Sequence, residues 1–332
     1  MGAAGPFGHA SNPSASMQPL LDTIAAMPLP QDACRIFHGR GGLHPGCEHW
    51  TLDAYPAVFV LTSFAPVDDG QLGAIGEALH ARWAQLAPDQ PLAWVFQHRG
   101  EALRLQGRSD TRLMAGSVPD PHVVTEGGLR FRVQVLRGQN HGLFLDMAEG
   151  RRWVREWALE FKAREGRGAR VLNLFAYTCA FSVAALAGGA AQVVNVDMGR
   201  GAIATGQQNH QLNGLGGGAS FLAHDIFASW GRITRGGPYD LVIADPPSYQ
   251  KGSFVAAKDY PRTVRRLPDL LAPGGSALLC LNAPELGPDF VHGLVQELAP
   301  GLAFERRLPN PAAFADVHEE RSLKALVYRS TP

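Results

Sequence analysis

From about residue 150 onward the apolar positions gather into short continuous runs: 171–175, 193–196, 221–223, 241–244 and 277–281. Runs of this length that are continuous rather than alternating mark strands buried on both faces. The segments between them are long enough for crossover helices, and strand alternating with helix predicts a parallel sheet covered on both sides. Residues 33–118 follow a different rhythm. Val58-Phe59-Val60-Leu61, within 53–64, is one buried-strand run and residues 92–96 are another. Between them Leu72, Ile75, Leu79, Trp83 and Leu86 fall on one helical face behind a capping Asp68 or Asp69. Further on, Gly127-Gly128 parts Val123-Val124 from the period-two run 129–135, which predicts a hairpin. The chain thus divides into a segment 1–32, a small α+β domain over 33–118, and an α/β domain over 119–332 that opens with the hairpin as an extension.

Composition changes this picture little. A length of 332 residues suits two domains, since one core rarely grows past ~250–300 residues. The opening MGAAGPFGHASNPSAS is rich in Gly, Ala, Pro and Ser, and residues 1–32 are expected to be disordered or a remnant of cloning. No apolar stretch nears the ~20 residues of a membrane helix, and no basic stretch leads an apolar signal core, so a cytoplasmic protein without a membrane partner is expected. Cys34, Cys47, Cys179 and Cys280 lack CxxC spacing and read as reduced thiols. Thirty basic and thirty acidic side chains cancel, so a nucleic-acid partner would need a local basic face. His38, His44, Cys47 and His49 lack a second ligand pair at zinc-site spacing, and no metal is expected.

The chemistry gathers at strand ends. NLFAYTCAFS, starting at Asn173, runs from a predicted strand into a helix, where unpaired helical N–H groups receive polar or anionic ligands. An ordinary strand-to-helix turn is the alternative. Asp197 ends the next strand, 24 residues beyond Asn173, where an acid accepts both hydroxyls of a ribose or caps the following helix. Asp225 follows a third strand and suits an adenine amino group. Asp245 ends a fourth, followed by Pro246 and Pro247, which forbid further ladder pairing and stiffen an outward corner. Acids at successive strand ends suggest one adenosine-containing cofactor lying along the carboxyl edge of the sheet.

VLNLFAYTCAFSVAALAGGAAQVVNVD, NHQLNGL, His224-Asp225 and DPPSY together resemble a class I S-adenosylmethionine-dependent methyltransferase. More narrowly the chain is similar to the bacterial large-subunit ribosomal RNA methyltransferases, both the cytosine-C5 enzymes with a PUA domain and the guanine-N7 enzymes. GLFLDMAEGRR (142–152) and CRIFHGRGGLHPG (34–46) extend the likeness over roughly residues 33–330, leaving no room for a PUA domain. The resemblance implies a Rossmann-like seven-stranded domain ending in an antiparallel hairpin around 303–308 and 323–328. It implies that Phe175, Tyr177 and Thr178 border the methionine part of the cofactor, beside the turn opened by Asn173. Asp197 would hold the ribose, Met198 would pack on the adenine, Asp225 and Ile226 would meet it, and Phe144 and Asp146 would help close the site. Two departures stand out: Cys179-Ala180 replaces Gly-Gly, altering backbone approach to the methionine carboxylate, and Ala148 replaces an arginine, removing a cofactor or phosphate contact.

An exocyclic amine suits the DPPSY corner: Asp245 and the Pro246 carbonyl accept its hydrogens, Pro247 stiffens the corner, and Tyr249 stacks on the base, worth ~1–3 kcal/mol. Cytosine C5 instead needs a thiolate. Aligned on Gly274-Gly275, the position of the cytosine-C5 enzymes' cysteine holds Asn282, as in the guanine-N7 relatives, while Cys280 lies two residues earlier. Base-nitrogen methylation of RNA, ribosomal RNA or the large subunit foremost, is therefore expected. Cytosine-C5 transfer through Cys280 is the rival, and a non-catalytic RNA-binding or ribosome-assembly protein retaining the fold is the rival of another class. Arg262, Arg265 and Arg266 are candidate phosphate contacts, as are Arg151, Arg152 and Arg155. The sequence carries no sign of oligomeric state.

Overall fold

The computed structural model describes residues 17–100, 110–247, 249–250 and 254–331. Two compact units emerge, one of the chain up to Val118 with Leu136–Gln139, the other of Pro119–Val135 with Asn140 onward.

The first unit holds a five-stranded sheet of β1 (Cys34–His38), β2 (Trp50–Tyr55), β3 (Val58–Ser63), β4 (Ala93–His98) and β5 (Asp110–Ala115), in that spatial order. Only the β3–β4 pair is parallel, and the helix Asp69–Leu86 makes the crossover it needs. Asp68 is the cap: its carboxylate accepts from Gln71 N at 2.8 Å while Gln71 Oε1 accepts from Asp68 N at 3.2 Å. Leu72, Ile75, Leu79 and Trp83 are buried behind it. Asp68→Ala removes this reciprocal pair and is expected to lower the unit's stability by about 1 kcal/mol in urea denaturation, with Asp68→Asn close to wild type.

The expectation of a disordered 1–32 fails from Met17 on. Gln18–Ala26 is a helix whose Leu20 and Ile24, with Met17 and Met27, are buried in the core of this unit. Met17, Leu20, Ile24 and Met27 recur at helical spacing, and that amphipathic period outweighs the bias of the preceding tail. Arg82 closes the end of the segment by donating twice to Met27 O, at 2.9 and 2.6 Å. Residues 1–16 lie outside the described residues.

The second unit opens with the hairpin β6 (His122–Glu126) and β7 (Leu129–Val133). Gly127 and Gly128 both have positive φ, 55° and 77°, the requirement of a type I′ turn that glycine meets without a Cβ clash. Strands β8 (Arg170–Leu174), β9 (Gln192–Val196), β10 (Ala219–Leu222) and β11 (Tyr239–Ala244) follow, then a two-residue ribbon of β12 (Tyr249–Gln250) with β13 (Phe254–Val255). After them come β14 (Leu271–Leu281), β15 (Leu302–Leu308) and β16 (Lys324–Ser330). The large sheet runs β10-β9-β8-β11-β14-β16-β15, parallel through β14 and antiparallel in its last two pairings. β14 begins six residues before the predicted run because Leu271 already pairs with Tyr239, the ladder resuming at Ser276 opposite Leu241 after an irregularity that contains Gly274-Gly275.

Each central strand feeds both faces, which is why these runs are continuous. Val242 and Ala244 join the core that includes Tyr260, Val264, Val291 and Val295, while Leu241 and Ile243 join the opposite core with Val154, Ala158, Phe181 and Ala185. Strand order reverses between β8 and β11, a topological switch point whose carboxyl ends open a crevice. No helix among the described residues is long and apolar enough to cross a membrane.

Candidate active site

The turn after β8 is the most constrained backbone at this edge. Phe175, Tyr177 and Cys179 have φ of 57°, 47° and 60°, the left-handed region that costs a non-glycine residue ~1–3 kcal/mol. Cys179 N bonds Ala176 O at 2.7 Å, and a positive φ at Tyr177, the first of the two central positions, marks a primed turn. Such a shape persists only if its surroundings hold it. Tyr177 N donates to Asp197 Oδ2 at 2.8 Å, Ala176 N to Val196 O at 3.1 Å, and Thr178 Oγ1 to Gly142 O at 2.6 Å.

The Cys179 side chain turns inward rather than filling the edge. It is fully buried with Ala176 and Ile203, and a Cβ on Gly206 would sit 2.5 Å from its sulfur, so Gly206 makes the room. Burial, with Asp197 nearby, pushes the thiol far above its ordinary range.

Asp197 is held at both oxygens, Oδ2 by Tyr177 N and Oδ1 by Gly199 N at 2.7 Å. It does not cap the next helix; Gly199 occupies that position and Arg200 begins the helix. Carboxylate oxygens carry about four lone-pair sites, so two remain for a pair of vicinal hydroxyls. Beyond it Met198 is 53% exposed and Phe144 41%, large apolar surfaces left uncovered at a polar edge. The Phe144 ring lies 5.1 Å from that of Tyr177. Asp225 is exposed and accepts from Phe227 N at 2.9 Å, with Ile226 buried beside it.

Asp245 follows the last residue of β11 at the switch point, with Pro246 buried and Pro247 half-buried. Desolvation, reinforced by the negative charge of Asp146 and partly offset by Arg151, pushes its carboxyl up to about 7. Tyr260 donates to Cys280 O at 3.0 Å behind this corner. The Cys280 thiol is raised well above its ordinary range by burial and by Asp245 and Asp146, and belongs to the core beneath Val154 and Phe181. Asn282 lies exposed one residue past the end of β14. Ser248 and the side chain of Tyr249 lie outside the described residues.

Several candidates are placed differently from expectation. Asn173 does not reach the edge: it is 1% exposed and donates to Asn195 Oδ1 at 2.9 Å within the sheet. Arg151 is no phosphate contact, being 4% exposed and doubly bonded to Glu126 at 2.7 and 2.6 Å, with Phe144 O at 2.8 Å. Arg152 pairs with Glu149 and Glu156, and Arg155 donates to Gly127 O. Arg262, Arg265 and Arg266 are exposed. The Arg262 guanidinium lies 3.8 Å above the Phe227 ring and pairs with Asp259, while Arg266 lies 5.8 Å from the Trp230 ring. Sequence reasoning missed Gly206, Phe227, Tyr260 and Asn209; for Asn209 the spacing to Asn213 in NHQLN was the available signal.

A five-stranded parallel core with a terminal antiparallel hairpin, a backbone-clamped acid ending β9 and a proline-stiffened acid ending β11 define a Rossmann-like class I methyltransferase domain. The model of the S-adenosylmethionine-dependent methyltransferase family matches residues 34–329, and the chain belongs to that family. It is 30% identical over 242 residues to ribosomal RNA large subunit methyltransferase I of Aeromonas hydrophila, covering 70% of this chain and 57% of that one. A ribosomal RNA large subunit methyltransferase of Deinococcus radiodurans is 32% identical over 251 residues, covering 74% and 58%. The chain thus spans a little over half the length of these curated relatives. Among solved structures, a chain from Streptococcus mutans assigned as a SAM-dependent methyltransferase superposes with a TM-score of 0.77 at 22% identity, over 98% of this chain and 83% of that one.

Proposed function

We propose that this chain transfers the methyl group of S-adenosylmethionine to a base nitrogen of RNA, with ribosomal RNA as the acceptor. The observation that carries the reading is the Asp245 corner, a carboxyl placed at the switch point directly after β11 and stiffened by Pro246 and Pro247, with Cys280 buried in the core behind it. The family supplies the methyl donor, and the curated relatives, named as ribosomal RNA methyltransferases, supply the acceptor class.

When bound, the cofactor supplies a sulfonium-activated methyl group. Asp197 takes the ribose hydroxyls with the lone pairs its two backbone partners leave. Met198 and Ile226 flank the adenine and Asp225 accepts from its amino group. Phe175, Tyr177 and Thr178 border the methionine part, with Phe144 and Asp146 closing over it. At the acceptor, Asp245 and the Pro246 carbonyl take the hydrogens of a base amine and aim its lone pair, which is most of what such a transfer requires. Methylation leaves the nitrogen one proton in excess, and a carboxyl near pKa 7 is matched to receive it at neutral pH. The resemblance makes Tyr249 and Asn282 contacts to the base, Pro247 belongs to the corner that receives it, and the exposed Arg262, Arg265 and Arg266 meet phosphates. A ribosomal acceptor and four cysteines free of disulfides suit the cytoplasm.

Cytosine-C5 transfer would need Cys280 as a thiolate, yet its surroundings favour the protonated form strongly. Cys280→Ser is therefore expected to keep transfer within about twofold of wild type, since the swap is small and leaves positioning intact; loss of activity would revive the C5 reading. The broader test is transfer of labelled methyl groups to ribosomal RNA, assembled subunits, tRNA and protein from cells lacking this chain, followed by nucleoside digestion. Label in one N-methylated nucleoside supports the proposal. Absence of both label and cofactor binding would promote a binding or assembly role.

A further inference from the structure

The helix Arg200–Leu212 and the residue just after it present two asparagines, Asn209 and Asn213, one turn apart. Four residues of helix rise about 6 Å and two residues of strand about 6.6 Å, so amides so spaced meet alternate residues of an adjacent strand. That strand is β7. Asn213 Oδ1 accepts from Arg130 N at 2.9 Å and its Nδ2 donates to Arg130 O at 2.7 Å, copying a backbone ladder pair. Asn209 Oδ1 accepts from Arg132 N at 2.8 Å, but its Nδ2 turns away from β7 and donates to Thr178 O at 3.0 Å. Asn209 is fully buried, and its two partners, one donor and one acceptor, fix which end of the amide faces which.

Thr178 lies inside the strained turn. Its carbonyl belongs to the same peptide plane as Cys179 N–H, so holding one aims the other at Ala176 O and keeps the primed turn closed. Asp197 and Val196 grip the turn from the sheet side, Gly142 grips the Thr178 hydroxyl, and Asn209 alone among these brings in the hairpin strand. We propose that Asn209 is a positioning residue for the cofactor, tying the left-handed turn 175–179 to β7 and so presetting the surface that receives the methionine part. The binding consequence rests on the methyltransferase reading above; the tie itself does not.

Asn209→Asp separates the two arms. One oxygen still serves Arg132 N–H, while the other opposes the Thr178 carbonyl, acceptor against acceptor. In the full ligand-free chain, amide hydrogen exchange at Tyr177 and Cys179 is expected to quicken at least tenfold, with amides of β8 and β9 within threefold of wild type. Asn213→Ala, which removes the neighbouring bonds to Arg130 and the bond to Asn209 O but keeps both Asn209 side-chain bonds, should quicken Tyr177 and Cys179 less than threefold. Affinity for S-adenosylhomocysteine should fall about tenfold in Asn209→Asp, raising KM for the methyl donor with kcat at saturation within threefold. Asn209→Ser carries the same expectations if the aspartate variant does not fold. Unaltered exchange at Tyr177 and Cys179, or equal quickening throughout β8 and β9, overturns the proposal. Quickened exchange in a protein whose wild type binds no S-adenosylhomocysteine would instead support the tie and sink the methyltransferase reading.

Discussion

Asp197→Ala is expected to raise the dissociation constant for S-adenosylhomocysteine at least 100-fold, about 2.7 kcal/mol. Two losses combine. The ribose hydroxyls lose a charged acceptor, and hydrogen bonds to charged groups are worth ~1.5–3 kcal/mol. The turn also loses the carboxylate that holds Tyr177 N and Gly199 N, so a backbone with three left-handed residues is freed to relax before any ligand arrives. Asp197→Asn keeps one oxygen acceptor and sets an amide NH2 against the other backbone donor, so it should bind better than alanine and worse than wild type. Isothermal calorimetry reads both variants. Binding by Asp197→Ala within fivefold of wild type would mean that Asp197 serves only the turn, and that the ribose lies elsewhere.

Asp245→Asn should lower transfer at least 100-fold at saturating cofactor while leaving affinity for S-adenosylhomocysteine within about threefold. The amide still accepts one hydrogen bond through its oxygen but cannot take the proton the methylated nitrogen sheds. The same change is expected to stabilise the ligand-free protein above pH 7. A carboxyl ordinarily near 3.8 and raised to about 7 binds its proton more tightly when folded. Between those values the folded state holds more protons than the unfolded one, so this group's contribution to stability falls as pH rises through the window and is wholly unfavourable above it. Wild type should therefore lose Tm relative to Asp245→Asn on going from pH 5 to pH 8. An unchanged Tm difference across that range would show that the carboxyl is not desolvated, and unchanged kcat would remove it from the chemistry. The linkage would also give wild type a cofactor signature: a sulfonium held near Asp245 would favour its ionisation, so affinity for the cationic methyl donor should climb towards pH 7 more steeply than affinity for its neutral product.

Much of this site could be read from the chain because its main acids sit at strand ends, where local apolar runs announce them. Continuous runs marked β8, β9, β11 and β14, though not their order in the sheet, and two prolines fixed where β11 stops. Harder to see was anything that depends on partners distant in sequence. Cys179 looked like a lost glycine, whereas the missing space is returned by Gly206 across the helix interface. Arg151 looked like one of three candidate phosphate contacts, yet it is buried against Glu126 of the hairpin. Asn173 lies one residue short of the end of β8, and its side chain points into the sheet towards Asn195. The helix at Gln18–Ala26 was hidden for a local reason, its four apolar contacts following directly on a low-complexity tail.

The Arg151–Glu126 pair bears on how this protein can be shortened or recombined. Both charged groups are nearly shielded from water, with side-chain exposures of 4% and 14%, and the same guanidinium holds the Phe144 carbonyl. A fragment beginning at the first helix after the hairpin would retain every strand of the large sheet yet leave that guanidinium buried without its carboxylate. The second compact unit accordingly takes in the hairpin, from Pro119 on. A cut at residue 140 therefore costs the second unit a buried ion pair, a stability loss of about 3–5 kcal/mol that touches none of the strand-end acids.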